Sequence, residues 1–209
     1  MKSWFLDEKL ATSCLKTLEG IEDWKIFERN NSLMYEYYDW EQHEDLREVY
    51  NQLHSQKTIT NLEEETDLEG LLFDPMGVGE GISKMTKGCK LDPHIDFNWN
   101  DRVKLNRVLS LTIYLGIDCE GGEFEIWDEK REHVLWSHTP GHNTSVLFKN
   151  NEISPHGVKE ITNGTRYAIR KFYYQSNSTP IEAPHQSLYW YDGEKAYNPQ
   201  KKMSTNSIS

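Results

Sequence analysis

Hydrophobic positions in the first sixty or so residues recur at intervals of three and four, which predicts two amphipathic helices. The two apolar sets are Leu6, Leu10, Cys14 and Leu18, followed by Leu46, Val49, Tyr50 and Leu53. Asp39 followed by Gln42 resembles a capping box at the start of the second helix, with Asp in place of the usual Ser or Thr. We interpret residues 1–65 as helical support for the rest of the chain.

Between about residues 71 and 175 the pattern changes to short runs of β type separated by turn-forming residues. The turn signals, rich in Gly, Pro and Asn, lie at residues 77–81, 121–122, 140–141 and 163–164. The predicted fold class is mostly β with N-terminal helices: a double-stranded β-helix (jelly-roll) core covered on one side by helices. No linker divides the chain, so we expect one domain over residues 1–209.

Residues 176–209 form a polar tail with scattered aromatic side chains. Tyr189, Trp190 and Tyr191 are candidates for folding back over the core as a cap. The last residues, 201–209, are predicted to be disordered, because they are polar and lie at a chain end.

Alternation is clearest in residues 107–115. The apolar set is Leu109, Leu111, Ile113 and Leu115, and the hydroxyl-bearing set between them is Ser110, Thr112 and Tyr114. In a strand the two sets point to opposite faces. If helices cover the apolar face, the hydroxyl face lines a polar cavity inside the barrel, and three hydroxyls suit a dicarboxylate ligand.

Composition and charge narrow the class of protein. Hydrophobic residues are 36% of the chain, a globular balance, and no apolar run is long enough to cross a bilayer, so no membrane partner is expected. The net charge of −11 disfavours nucleic acid as a partner. Residues 1–10 lack the apolar stretch of a secretory signal, and the three cysteines form no CxxC pair, so we expect a cytoplasmic protein without disulfides or structural zinc.

Two histidines and an aspartate carry the strongest chemical signal. His94 and Asp96 are two residues apart and face the same side only if residues 93–97 are extended. With His156, which starts a predicted strand, they make the two-histidine, one-carboxylate set that holds non-haem Fe(II) and leaves three positions open. The other histidines lie on or beside a charged helix, in a polar hairpin region or in the tail, and His142 is the best rival.

Arg166 is a candidate for binding a carboxylate, since its planar guanidinium can make two parallel hydrogen bonds. A hairpin at residues 161–165 would fix the face that it occupies. A two-residue turn pairs Arg166 with Ile161, on the face opposite to His156. A three-residue loop pairs it with Glu160, on the same face. The metal site therefore predicts the three-residue loop, with Gly164 left-handed, or an equivalent bulge.

These residues resemble the Fe(II)/2-oxoglutarate-dependent dioxygenase superfamily, and most of all its prolyl 4-hydroxylase-like branch. The resemblance covers roughly residues 81–174. Its elements occur in family order: the HxD pair, the strand from Arg107 to Leu115, residues 121–123, the 140–141 turn leading to residues 145–148, residues 156–158, and Arg166. Two positions depart from the family: many relatives have a tyrosine at the position of Met85, and some have a serine at that of Ala168. Neither position belongs to the predicted metal ligands.

The resemblance implies the cofactors Fe(II), 2-oxoglutarate and O2. His94, Asp96 and His156 would bind the metal, and Arg166 and Tyr114 would bind the distal carboxylate of 2-oxoglutarate. Succinate and CO2 would be the coproducts of a C–H hydroxylation. Relatives with Gly in place of the aspartate halogenate, so Asp96 favours hydroxylation. No catalytic residue is predicted beyond the metal ligands.

The substrate is left open between two candidates. One is a prolyl or other residue in a peptide or protein, and the other is a free amino acid or other small metabolite. Arg170 is a candidate for engaging a substrate carboxylate or backbone carbonyl, helped by Trp99; a local ion pair and simple packing are the alternatives. A non-catalytic jelly-roll binding module is the competing class of protein, and a cupin or a nucleic-acid demethylase fits less well. The oligomeric state is not predicted.

Overall fold

The computed structural model describes residues 6–29, 31–176, 184–191 and 194–197. Three α-helices lie near the amino end, and they are α1 (Glu8–Gly20), α2 (Glu44–Leu53) and α3 (Gln56–Thr66). The first two carry the predicted apolar faces: Cys14, Leu18, Leu46 and Val49 are fully buried. Among the described residues, no helix is both long and apolar enough to span a membrane.

The capping box predicted at Asp39 is wrong. Residues Trp40–Gln42 form a short 3-10 helix, and the Asp39 side chain makes no capping hydrogen bond. The extended backbone of His43 separates this turn from α2, which begins only at Glu44. The acidic side chains Glu44 and Asp45 instead lie in the first turn of α2, where they complement the helix dipole.

The prediction of a wholly helical amino-terminal region is also wrong, because two strands lie between the first two helices. They are β1 (Lys25–Arg29) and β2 (Ser32–Tyr37), an antiparallel pair in register from Lys25 with Glu36 to Arg29 with Ser32. Met34 and Tyr37 of β2 are buried, whereas no side chain of β1 is fully buried. The pair is held by the larger sheet, since β2 aligns with residues 82–84.

Twelve further strands are described. They are β3 (Leu71–Phe73), β4 (Gly81–Thr86), β5 (Leu91–Ile95), β6 (Trp99–Asn100), β7 (Leu105–Gly121), β8 (Phe124–Trp127), β9 (Val134–His138), β10 (Thr144–Lys149), β11 (His156–Val158), β12 (Ile161–Gln175), β13 (Leu188–Tyr191) and β14 (Glu194–Tyr197).

The strands form two sheets, as the predicted double-stranded β-helix requires. The larger sheet has the order β1-β2-β4-β12-β7-β10, with β3 paired to β12 and β6 paired to β7. The smaller sheet has the order β14-β13-β5-β11-β8-β9. One cavity is lined by residues of both sheets, so the inner faces of the two sheets enclose it.

The hydrophobic core shows which face of β7 packs against the helices and which face lines the cavity. Leu109, Leu111, Ile113 and Leu115 belong to the cluster that also contains the apolar faces of α1, α2 and α3. The helices therefore cover the outer face of the larger sheet, as predicted. The hydroxyl-bearing residues Ser110, Thr112 and Tyr114 alternate with this set and line the cavity.

The hairpin predicted before Arg166 is wrong. His156 lies on β11 of the smaller sheet, whereas Ile161 to Gln175 is one strand of the larger sheet. Among the described residues β11 and β12 therefore do not pair with each other, and residues 159–160 connect the two sheets. Gly164 is left-handed, with a φ of +78°, but it sits within the β12–β7 ladder opposite Cys119. A Cβ at Gly164 would lie 1.5 Å from the Asp118 carbonyl oxygen, so glycine is needed for this close approach.

The tail contributes to the smaller sheet. Strand β13 pairs with β5, with Leu188 opposite Ile95 and Tyr189 opposite His94, and β14 pairs with β13. The cap predicted at residues 189–191 is thus an added strand beside the metal-ligand strand. The predicted disorder at residues 201–209 lies outside the described residues.

Candidate active site

The three predicted metal ligands converge at the junction of β5 and β11. His94 lies on β5, Asp96 follows its end, and His156 opens β11 directly opposite His94. The Nε2 atoms of His94 and His156 lie 3.5 and 3.3 Å from the Asp96 carboxylate oxygens. One ligand atom from each residue lies within 4.8 Å of the other two, an arrangement that could hold one metal ion.

Backbone carbonyls orient both imidazole rings. His94 Nδ1 lies 3.0 Å from the Asp92 carbonyl oxygen, and His156 Nδ1 lies 3.4 Å from that of Ser154. A carbonyl only accepts, so each Nδ1 carries the proton and each Nε2 presents its lone pair to the Asp96 side. Burial lowers the pKa of His94, which keeps it in the neutral form that binds metal.

Asp96 is held as a charged carboxylate by a residue that the sequence reasoning missed. Arg107 Nη2 donates to Asp96 Oδ2 at 2.6 Å, and the Asn150 side-chain amide lies 3.3 Å from the same oxygen. Burial alone would raise the pKa of Asp96, but the opposing effects, of which the positive charge of Arg107 is the largest, outweigh it, so the pKa lies well below its usual range. The site thus supplies two imidazole nitrogens and one charged oxygen, a set that fits Fe(II).

A change of register explains why alternation did not reveal Arg107. By strict alternation Arg107 belongs with Leu109, on the face under the helices. The β7–β12 pairing slips between Leu109 and Arg107, where Tyr173 and Tyr174 are their successive partners. Arg107 therefore joins Ser110, to which its Nη2 donates at 2.8 Å, and its guanidinium lies 3.3 Å from the Phe172 ring centre.

Arg166 and Tyr114 form a second polar subsite in the same cavity. Arg166 is 3% exposed and Tyr114 is fully buried. The Arg166 guanidinium lies 4.9 Å from the Tyr114 ring centre and donates to the Gly122 carbonyl oxygen. Among the described residues, neither Arg166 Nε nor the Tyr114 hydroxyl has a hydrogen-bond partner. Two buried, unpartnered donors in one cavity fit an anionic acceptor such as the distal carboxylate of 2-oxoglutarate.

The remaining predicted cofactor residues are Ser110 and Thr112, and the hydroxyl of Ser110 is already hydrogen-bonded. Ser110 and Thr112 both line the cavity. Ser110 is already engaged, since its hydroxyl donates to Asn150 Oδ1 at 2.8 Å and accepts from Arg107. His142, the rival metal ligand, lies elsewhere: its Nδ1 accepts from the Gly116 backbone N–H at 3.1 Å.

The structure separates the two predicted substrate residues. Arg170 lines the cavity with the metal ligands and donates to Glu36 on β2. Trp99 is not among the cavity-lining residues, and its indole N–H donates to Asp101 Oδ1 at 3.0 Å. Only Arg170 is therefore positioned to contact a ligand held in the cavity, which has a volume of about 80 Å³.

The tail segment 184–191 packs against the metal site. The Tyr189 ring stacks on the His94 ring, with centres 4.9 Å apart and planes 14° apart. The Phe97 backbone N–H donates to Ser187 Oγ at 3.3 Å, and His185 Nε2 lies 2.6 Å from Glu152 Oε2. In the sequence, the aromatic run at residues 189–191 indicated that the tail folds back over the core, but it did not indicate that Tyr189 packs on His94.

Known proteins resemble the part of the chain that carries these residues. Residues 81–174 match the model of the 2OG-Fe(II) oxygenase superfamily. Prolyl 3-hydroxylase 2 of Gallus gallus is 34% identical over 82 residues, which are 39% of this chain and 12% of that protein. The match to prolyl 3-hydroxylase 2 of Homo sapiens is 33% over 82 residues. The chain thus spans only 12% of the length of these relatives.

Solved structures share the fold over most of the chain. A Pseudomonas putida prolyl-4-hydroxylase gives a TM-score of 0.62 at 14% identity, over 84% of this chain and 91% of that one. A Trichoplax adhaerens prolyl hydroxylase, solved with a hypoxia inducible factor peptide fragment, gives 0.59 at 16% identity, over 84% of each chain. The fold is therefore the double-stranded β-helix of prolyl 4-hydroxylase-like enzymes. Residues 81–174, somewhat less than half of the chain, are similar to the 2OG-Fe(II) oxygenase superfamily.

Proposed function

We propose that this protein is an Fe(II)- and 2-oxoglutarate-dependent dioxygenase that hydroxylates an aliphatic C–H bond, in a prolyl or another residue of a peptide or protein. The observation that carries the proposal is the convergence of His94, Asp96 and His156 in a cavity that also holds the unpartnered donors of Arg166 and Tyr114. The substrate class is supported by the prolyl hydroxylase relatives and by the peptide bound to the Trichoplax adhaerens protein.

Each group of residues has a separate task in this proposal. The two imidazoles and Asp96 hold the metal from one side, while Arg107 keeps Asp96 ionised. Arg166 and Tyr114 bind and orient the distal carboxylate of 2-oxoglutarate. The apolar cavity residues Phe124, Phe148 and Val158 exclude water from the reacting groups. When bound, Fe(II) and 2-oxoglutarate supply the activation of O2, with succinate and CO2 as coproducts of the hydroxylation.

Anaerobic titration of the protein with Fe(II) and 2-oxoglutarate tests the cofactor set. We expect the visible metal-to-ligand absorption band of a chelated 2-oxo acid, and we expect H156A to abolish it. D128N is the matched control, because Asp128, Glu132 and His133 form the other described cluster that could hold a metal ion, and Asp128 does not line the cavity. A folded wild-type protein without the band, or an undiminished band in H156A, would contradict the proposal.

A second candidate is hydroxylation of a free amino acid or other small metabolite. The observation in its favour is the tail segment, whose Tyr189 packs on His94 and whose Ser187 binds the backbone at Phe97, beside the metal site. Admitting O2 with prolyl peptides or with free amino acids, and measuring succinate release, separates the two candidates. Stimulation by peptides alone favours the first, and stimulation by free amino acids alone favours the second.

The proposed compartment is the cytoplasm. Its support is the state of Cys14, Cys89 and Cys119, which are free thiols, as a reducing compartment keeps them.

A further inference from the structure

Arg170 lies on the cavity face of β12, four residues beyond Arg166, which is assigned to 2-oxoglutarate. In the β12–β7 ladder Ala168 is opposite Tyr114, Arg170 is opposite Thr112, and Phe172 is opposite Ser110. All six residues line the cavity that contains the metal ligands. Arg170 is therefore a cavity residue that the metal and the proposed 2-oxoglutarate subsite leave unused.

The Arg170 guanidinium is fixed in place but not fully paired. One nitrogen, Nη2, donates to Glu36 Oε1, and the Tyr38 hydroxyl also donates to the Glu36 carboxylate. The side chains of Arg170 and Glu36 are 19% and 12% exposed, so water screens this pair weakly. Arg170 Nε is buried and has no hydrogen-bond partner among the described residues. A buried N–H without an acceptor is costly, which makes this group receptive to one.

Charge balance points to an anionic acceptor. Arg107, Arg166 and Arg170 line the cavity, and Asp96 is the only acidic residue among the described cavity-lining residues. Glu36, which forms an ion pair with Arg170, adds a second negative charge. With Fe(II) and the two carboxylates of 2-oxoglutarate in place, three guanidiniums and a divalent cation face four carboxylates. One positive charge is left over, and a single carboxylate on the substrate would neutralise it.

We propose that Arg170 binds a carboxylate group of the substrate and so selects substrates that are acids near the hydroxylated carbon. The planar guanidinium fork, held from one side by Glu36, matches a carboxylate better than it matches a neutral amide. This inference rests on the proposed function and narrows its substrate class. The carboxylate has two possible sources: the terminal carboxylate of a small molecule, or an acidic side chain next to the reacting residue of a peptide.

Matched pairs of acid and amide probes distinguish the sources. The first pair is N-acetyl-L-proline and N-acetyl-L-prolinamide. The second pair is the capped dipeptides Pro-Asp and Pro-Asn. Binding to the protein loaded with Fe(II) and 2-oxoglutarate is measured by anaerobic calorimetry, and succinate release is measured separately after O2 is admitted. We expect the acid of one pair to bind at least about tenfold more tightly than its amide, because a hydrogen bond to a charged group is worth roughly 1.5–3 kcal/mol.

Variants assign that preference to Arg170. In R170Q the affinity for the acid should fall on the order of 10- to 100-fold while the affinity for its amide is unchanged. R170K should recover part of the loss, since it keeps the charge without the planar fork. E36Q should tighten binding of the acid, because it removes the competing carboxylate. R102Q is the matched control: Arg102 is exposed and does not line the cavity.

The outcomes separate this inference from the proposed function. Acids that bind no more tightly than their amides, or that do not bind detectably, would overturn the role of Arg170 even if the metal-to-ligand band and 2-oxoglutarate turnover are present. Equal losses for acid and amide in R170Q would also overturn it, because they indicate a structural role. Loss of the absorption band in the wild-type protein would instead overturn the proposed function itself.

Discussion

At the scale of single residues, the site is built from groups whose partners decide what they can bind. Each metal-ligand histidine is held at Nδ1 by a carbonyl, and Asp96 is held by Arg107 and Asn150. By contrast, Arg166 and Tyr114 keep unpartnered donors within the described part of the chain. A satisfied group positions a ligand, whereas an unsatisfied buried group needs one.

Removal of either unpartnered donor should weaken binding of 2-oxoglutarate. In R166Q we expect the affinity to fall on the order of 10- to 100-fold, because a charged hydrogen-bond donor is lost. In Y114F we expect a smaller loss, of roughly 2- to 12-fold, since one hydroxyl of a neutral side chain is removed. Titration of the Fe(II) protein with 2-oxoglutarate gives both affinities. If the order of the two effects were reversed, Arg166 would not be the principal carboxylate ligand.

The contact between Arg107 and Asp96 should govern metal affinity. R107L leaves the Asp96 carboxylate without its cation and removes the hydrogen bond at 2.6 Å that orients it. Loss of such a supporting partner typically weakens metal binding about 10- to 100-fold. Competition between the protein and a chelator for Fe(II) measures this change. Because Arg107 also packs on Phe172, circular dichroism must first show that R107L is folded; a folded variant with unchanged Fe(II) affinity would contradict the prediction.

At the scale of elements, the sequence predicted the features that depend on local patterns but not those that depend on pairing between distant strands. The apolar faces of α1 and α2 and the alternation along β7 were predictable, because each depends on residues within a few positions of one another. The β1–β2 pair and the cap strand β13 were not, since each is held by a distant strand. The predicted hairpin before Arg166 was wrong for the same reason, since β11 and β12 belong to different sheets, although Arg166 lines the cavity with His156 as predicted.

The tail segment should be attached in a pH-dependent manner through His185 and Glu152. Burial alone would lower the pKa of His185, but its hydrogen bond to Glu152 outweighs this and raises the pKa above 6.5. The stabilisation is therefore fully present below pH 6.5 and is lost as the pH rises through the raised pKa. The pKa of Glu152 is lowered: burial opposes this, and the hydrogen bonds from His185 and Asn98 outweigh burial. The contribution of Glu152 is accordingly lost at acidic pH.

Hydrogen exchange of the backbone amides in residues 188–191 measures this attachment. After correction for intrinsic exchange rates, we expect stronger protection at pH 6 than at pH 8.5 in the wild-type protein. E152Q should remove the difference between the two pH values. E132Q is the control, since Glu132 is an exposed residue of another cluster. A pH dependence that persists in E152Q would assign it to a different group.

At the scale of the whole molecule, the candidate site joins parts that the fold brings together from distant positions. His94 and His156 lie on neighbouring strands of the smaller sheet, and Asp96 follows the end of β5, while Arg107, Tyr114 and Arg166 come from the larger sheet. Residue types and family order made these residues identifiable in the sequence. The contacts of Arg107 with Asp96 and of Tyr189 with His94 could not be predicted, because a register slip places Arg107 and the pairing of a tail strand places Tyr189.

Because the ligands connect both sheets, filling the site should stabilise the whole fold. A ligand present at 100 times its Kd adds about 2.7 kcal/mol to the free energy of unfolding. For a chain of 209 residues, each kcal/mol raises Tm by about 2–4 °C, so a rise of about 5–11 °C is expected on saturation. Anaerobic thermal unfolding with Fe(II) and 2-oxoglutarate measures it. H156A should lose the rise, whereas H142A should keep it, because His142 lies outside the metal set. An equal rise in both variants would show that stabilisation comes from binding elsewhere on the protein.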